Sequence, residues 1–227
     1  MKQLERIKQK LKELKATDVN FEVFGSEEHR YSFNPVLTEN EITSFEKKHN
    51  LTLAEEYRLF IKEIGNGGAG PFYGLLSLED NEDQSVNLDF DFPFDAENPL
   101  SLDKYAEYNE KIAGAYEANN MDEEQALTDL KDSLIEEEYQ NAIKGITFLC
   151  HEGCCMFNVL VLKGKDKGTV WWFNFSDEVG VLPIIHKEKS VSFLDWYEIW
   201  LDDSLEFFKS DKKPFSTYGQ FICQDNI

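Results

Sequence analysis

Gly65-Asn66-Gly67-Gly68-Ala69-Gly70-Pro71-Phe72-Tyr73-Gly74-Leu75 is the stretch from which the rest of the chain is read. Its five glycines invite a phosphate-binding reading. Such a loop follows a strand and opens a helix, whose N-terminal amides hold the anion. Here the order is reversed. The glycines follow a helical pattern and lead into Phe72-Tyr73-Gly74-Leu75-Leu76-Ser77-Leu78, which reads as a strand, with no Gly-Lys-Ser or Gly-Lys-Thr. The loop is a sharp helix-to-strand turn, and the phosphate reading fails.

Upstream, Leu53, Tyr57, Phe60, Ile61 and Ile64 form an apolar stripe at helical spacing. Thr52 with Glu55 offers this helix an N-cap, and Gly65 closes it in the left-handed conformation. Before it, Thr38 and Glu41 are spaced as a capping box, Leu37 and Ile42 as a hydrophobic staple. Residues Phe21 to Phe33 alternate loosely and predict one or two short strands around Gly25-Ser26. Over residues 1–20, Leu4, Ile7, Leu11 and Leu14 predict an amphipathic helix with a basic outer face. Its narrow apolar stripe is expected to pack on the protein rather than lie on a membrane.

Downstream, residues 79–142 read as an acidic insertion. Leu88, Phe90, Phe92 and Phe94 alternate with Asp89, Asp91, Pro93 and Asp95, predicting an edge strand with its acids in water. Calcium binding by Asn81, Asp83, Asp89 and Asp91 is disfavoured, because their spacing does not match an EF-hand loop. Tyr105, Tyr108, Ile112 and Tyr116, then Leu127, Leu130, Leu134 and Ile135, predict two helices parted by Asn119-Asn120. Three strands follow, at Ile146–Leu149, Met156–Leu162 and Thr169–Phe175, with Gly153, Gly164 and Gly168 in the turns. Trp171 and Trp172 should face opposite sides of their strand, one in the core and one available to a partner. Ser192 caps a last helix whose buried face is Phe193, Tyr197, Trp200, Leu201, Leu205 and Phe208. Residues 211–227 read as an irregular tail.

The composition narrows the function. A chain of 227 residues with 41% hydrophobic and 14% aromatic content supports one sizeable core. No stretch approaches the roughly 20 apolar residues of a membrane span. The start, MKQLERIKQKLKELK, lacks the apolar run of a secretory signal. With Cys150, Cys154, Cys155 and Cys223 not spaced as a disulfide framework, this predicts a cytoplasmic protein with free, mostly buried thiols. The formal net charge is -21, and it is uneven. Met1 to Lys15 carries six basic and two acidic residues, whereas Glu79 to Glu138 carries twenty acids against Lys104, Lys111 and Lys131. Such a field repels nucleic-acid backbones and attracts basic partners.

The order of capped helices, Gly-rich turn, Tyr-Gly-Leu strand, later β-meander and Trp-rich helix resembles the SUKH superfamily. That group takes in yeast cell-wall regulators of the Smi and Knr type, the bacterial Syd protein and many bacterial immunity proteins. The matching residues are Leu37-Thr38-Glu39 with Ile42 and Phe45-Glu46, Leu53 with Tyr57-Arg58 and Phe60-Ile61, and Gly65 to Leu75. Further matches are Gly164, Gly168-Thr169-Val170-Trp171, Gly180, Leu182-Pro183, Phe193-Leu194-Asp195-Trp196-Tyr197 and Trp200-Leu201. Ala54 departs from the Pro that many members carry there, and suits a first helical turn. The resemblance spans roughly Phe24 to Leu205, interrupted by the acidic stretch, and implies an α+β fold with a central mixed or mostly antiparallel sheet flanked by helices; residues 1–210 are expected to form one such domain. It implies no catalytic residues and no cofactor.

Three functions compete. In the first, the chain is an immunity protein whose acids, above all Asp80, Glu82, Asp83, Asp89, Asp91 and Asp95, dock a basic toxin domain, with a nuclease the natural candidate. In the second, the fold serves a regulatory or scaffolding module with no toxin. In the third, Cys150-His151 with Cys154-Cys155 holds zinc or a reactive thiol; with no second Cys-x2-Cys, core packing is the better account of these cysteines. His29, His49 and His186 are scattered and sit in no nucleophile-elbow context.

Overall fold

The computed structural model describes residues 2–78 and 86–209. Its centre is an antiparallel sheet of β1 (Leu100–Ser101), β2 (Ile146–Gly153), β3 (Met156–Val161), β4 (Val170–Asn174) and β5 (Gly180–Pro183). The spatial order is β1-β5-β4-β3-β2. Three strands fall where the alternation and turn glycines place them. The short β1 and β5, and a ribbon of β6 (Ile185–His186) with β7 (Lys189–Ser190), have too few residues to show a period.

Side chains alternate across a strand, and both faces of this sheet are covered. Leu160, Leu162, Val170 and Trp172 pack against α1 (Lys2–Thr17), α3 (Glu39–Lys48), α4 (Glu55–Glu63) and α7 (Phe193–Lys209). On the other face Phe148, Val159, Trp171 and Phe173 meet Leu102, Ile135 and Tyr139, the last two from α6 (Met121–Ala142). A 3-10 turn, Leu102–Tyr105, and α5 (Ala106–Glu117) lead into α6. Trp171 and Trp172 do face opposite ways, but both are buried. Neither is available to a partner, because a helical layer lies over each.

Leu4, Ile7, Leu11 and Leu14 are buried, and α1 packs along α7. Glu198 of α7 accepts from Arg6 Nη2 at 2.8 Å and Lys10 Nζ at 2.8 Å. Burial alone would raise this carboxyl; the hydrogen bonds from Arg6 and Lys10 outweigh it and hold the group at about 2. The Thr38–Glu41 capping box forms, and Asp195 N donates to Ser192 Oγ at the head of α7. The second cap does not form. Helix α4 starts at Glu55 after Ala54, and Glu46 Oε1 takes the Leu53 amide instead.

Other expectations are corrected. Residues 21–33 hold the short helix α2 (Ser26–His29) and no strand. The cause is Asp18, which is 1% exposed and accepts from Glu22 N, Val23 N, Ser26 Oγ and Tyr31 Oη. Phe72 to Leu78 makes isolated bridges at Leu75, to Gly68 and Cys150, rather than a strand. Gly65 is not left-handed; a Cβ there would sit 2.7 Å from Phe33 Cβ, so close packing demands the glycine. Gly68 combines φ +109° with a Cβ position 2.4 Å from Ser32 O. No helix of the described residues is long and apolar enough to cross a membrane.

Candidate functional site

The acidic face is built from residues 86–99, which place Leu88 in one core layer and Phe92 in the other, together with α5 and α6. Residues 86–99 are not an edge strand. Their backbone pairs irregularly, Asn87 N to Ile143 O at 2.9 Å and Phe92 N to Lys163 O at 2.9 Å. Leu88 and Phe92 are buried and Phe94 packs beside Phe92, while Phe90 is 56% exposed, so the burial does not alternate as an edge strand would. Asp89 and Asp91 stand exposed on either side of Phe90 and make no ion pair among the described residues.

Asp95 has a different environment. It is half-buried, accepts from Glu97 N and Asn98 N at 3.0 Å each, and pairs with Lys165 Nζ at 3.0 Å. The Lys165 hydrogen bond holds its carboxyl below the usual range. That is the work of a turn, done by a residue fixed in place. Asp80, Glu82 and Asp83 lie outside the described residues.

The rest of the face comes from other acids of the stretch Glu79 to Glu138, beyond the six singled out above. Glu110, Glu117, Asp122, Asp132 and Glu137 are exposed on α5 and α6. Their helical spacing around Ile112, Leu127 and Ile135 is the signal that could have found them. The cations here are engaged: Lys104 pairs with Glu138, Lys111 with Glu107 at 3.5 Å, and Lys131 with Glu178 at 2.5 Å. Lys131 is 6% exposed, so its charge is turned inward. What faces water is overwhelmingly carboxylate.

The cysteine cluster does not converge. Cys150 is buried, with its Sγ 3.8 Å from Asn158 Oδ1, and burial pushes its thiol well up. Cys154 and Cys155 are exposed at the β2–β3 turn, which corrects the expectation of mostly buried thiols. They face water because they form the tip of the hairpin beyond the Gly153–Met156 pair, with φ of 48° and 60° as such a two-residue turn requires. Among the described residues no three His, Cys, Asp or Glu side chains gather as metal ligands. The Gly-rich loop is tied into the core, with Tyr197 Oη donating to Ala69 O at 2.8 Å.

A family model, SMI1 / KNR4 family (SUKH-1), matches residues 36–202. The chain belongs to that family. No curated protein and no solved structure matches it. The SUKH-1 match runs from just before α3 into α7, so the sheet, the glycine loop and the acidic helices all lie within it. Helix α1 lies before it. SUKH-1 domains act through protein–protein contacts and are in general not catalytic.

Proposed function

We propose that this SUKH-1 chain is an immunity protein that neutralises a basic, nuclease-type toxin domain by laying its acidic face over the toxin's cleft. The observation that carries this reading is the charge of the acidic face. Asp89, Asp91 and the carboxylates of α5 and α6 face water, while Lys104, Lys111 and Lys131 are ion-paired and the half-buried Lys144 and Lys163 are drawn onto the Phe90 ring and the Leu88 and Asp89 carbonyls. A nuclease holds a polyanion, so its cleft is basic. An acidic surface seated there excludes substrate, and opposite potentials speed the encounter.

Co-expression with a toxin encoded beside the gene tests the reading. The wild-type chain should rescue growth, and Asp89→Lys with Asp91→Lys should lower the association rate about tenfold at low salt. Asp95→Lys should disturb its own turn first, and is the weaker probe. Rescue and affinity left unchanged by reversing Asp80, Glu82, Asp83, Asp89 and Asp91, at every salt concentration, reject acidic docking. Capture of a housekeeping complex in place of a toxin would favour the regulatory role.

A further inference from the structure

Cys154 and Cys155 stand next to each other at the tip of the β2–β3 hairpin, and both are exposed. Free cysteine is among the residues most often buried, so two at one exposed tip are unusual. The turn does not ask for them either. With positive φ at both positions, Asn-Gly or Asp-Gly is the favoured pair, because an ordinary side chain is crowded there. Neither thiol makes a hydrogen bond among the described residues, and no third metal-ligating side chain joins them there. Burial, turn chemistry and hydrogen bonding thus all leave the pair unexplained, and its reactivity remains.

Two thiols on consecutive residues can be oxidised to one disulfide. Their Cα atoms are about 3.8 Å apart across a trans peptide, closer than the roughly 4.4–6.8 Å of most disulfides. Closing the bridge therefore strains the turn, and strained, exposed disulfides are the ones most readily reduced again. Cys150 is no competitor. It is buried, and at about 3.3 Å per residue along β2 it lies roughly 10 Å from the tip, beyond disulfide reach. The tip is also in touch with α6. Burial pushes the Tyr139 hydroxyl up, and the charges of Glu136 and Cys155 push it further. A change of shape at the tip is thus felt beside the acidic face.

We propose that Cys154 and Cys155 form a reversible dithiol–disulfide switch whose co-reactant is a small-molecule disulfide. One Sγ, as thiolate, attacks a sulfur of the small disulfide, forming a mixed disulfide and expelling one small thiolate. The neighbouring Sγ gives up its proton and attacks the protein sulfur of that mixed disulfide, expelling the second. Two protein thiols are oxidised, one S–S bond replaces another, and the two departing thiolates take up the two protons. The switch does not depend on which partner the acidic face meets.

Hydroxyethyl disulfide, added to the folded full chain and followed by alkylation of the remaining thiols, is the probe. Fragmentation mass spectrometry should show the loss of two hydrogens at Cys154 and Cys155, with no adduct left on either. A low concentration of dithiothreitol should restore both thiols. Cys154→Ser and Cys155→Ser should each keep a stable adduct on the thiol that remains, because it has no neighbour to expel it. Cys223→Ser should close its bridge as the wild type does. Lasting adducts on both Cys154 and Cys155 of the wild type overturn the proposal, as does a bridge from either to Cys150 or Cys223. A tip that the probe leaves unmodified overturns it too. Cys154→Asn with Cys155→Gly supplies the pair that the turn favours, and should raise the melting temperature by about 2–4 °C. A melting temperature that fails to rise would mean that the cysteines serve the turn, and defeats the reading of them as a switch.

Discussion

His29 and Glu152 are both shifted by burial, in ways whose effects on stability in mild acid oppose each other. Burial pushes the His29 imidazole down to about 4. An unfolded His29 takes its proton near 6.5, so as pH falls from 6.5 to 4 the unfolded state binds more protons and the fold loses up to about 3 kcal/mol. Burial pushes the Glu152 carboxyl up to about 7, although Trp172 Nε1 and Asn158 Nδ2 donate to it. Here the folded state binds the extra proton between 4.5 and 7, so stability rises as pH falls through that window. The wild-type chain should therefore show a shallow slope from pH 5 to 6.5, because the two terms cancel. Glu152→Gln removes one of them and should make the chain plainly weaker at pH 5 than at pH 6.5 in urea titrations. A slope identical to wild type would mean that Glu152 ionises in the fold as it does in water.

At the scale of elements, two threonines that look alike in sequence play different parts. Thr38 and Thr52 each precede a helix and each has a Glu three residues on, but only Thr38 accepts from the N3 amide. Thr38→Ala should cost about 1 kcal/mol and lower the melting temperature by about 2–4 °C. Thr52→Ala should stay within about 0.5 kcal/mol. Equal losses would show that the difference in caps does not matter. The contrast marks what the sequence makes legible. Patterns confined to one element, such as the α1 stripe, the α7 aromatics and the three long strands, were readable, because period and caps are local. Features set by partners remote in the chain were not. Asp18 turns a would-be strand into α2; Glu46 takes the Leu53 amide; residues 86–99 lie across Ile143 and Lys163 and alternate with neither. The site divides the same way. Composition reveals an acidic region, but Asp95 is tied by Lys165, 70 residues away, and no local rule separates it from Asp89 or Asp91.

On the scale of the whole molecule, 44 acids against 23 lysines and arginines leave a net charge of -21, and ion pairs gather where Arg58 and Lys62 meet Glu39 and Glu46 and where α1 meets α7. Arg6 and Lys10 are bound to Glu198 and Asp202 there, so they do little to offset the carboxylates across the sheet. Self-repulsion among those carboxylates opposes the compact state. Raising salt from 10 mM to 150 mM shortens the screening length from about 30 Å to about 8 Å. That removes long-range repulsion first, while the Glu198 contacts, short and partly buried, are screened least. The melting temperature should therefore rise with added sodium chloride, whereas association with a basic partner should slow over the same range. Reversing Asp89 and Asp91 should flatten both slopes together, because both draw on one field. Thermal melts and stopped-flow binding on the same samples make the comparison. A melting temperature that falls with salt would mean that the ion pairs of α1 and α7, and not the excess of carboxylates, dominate the electrostatics of the fold, and that the acidic face is too well neutralised to draw a partner in.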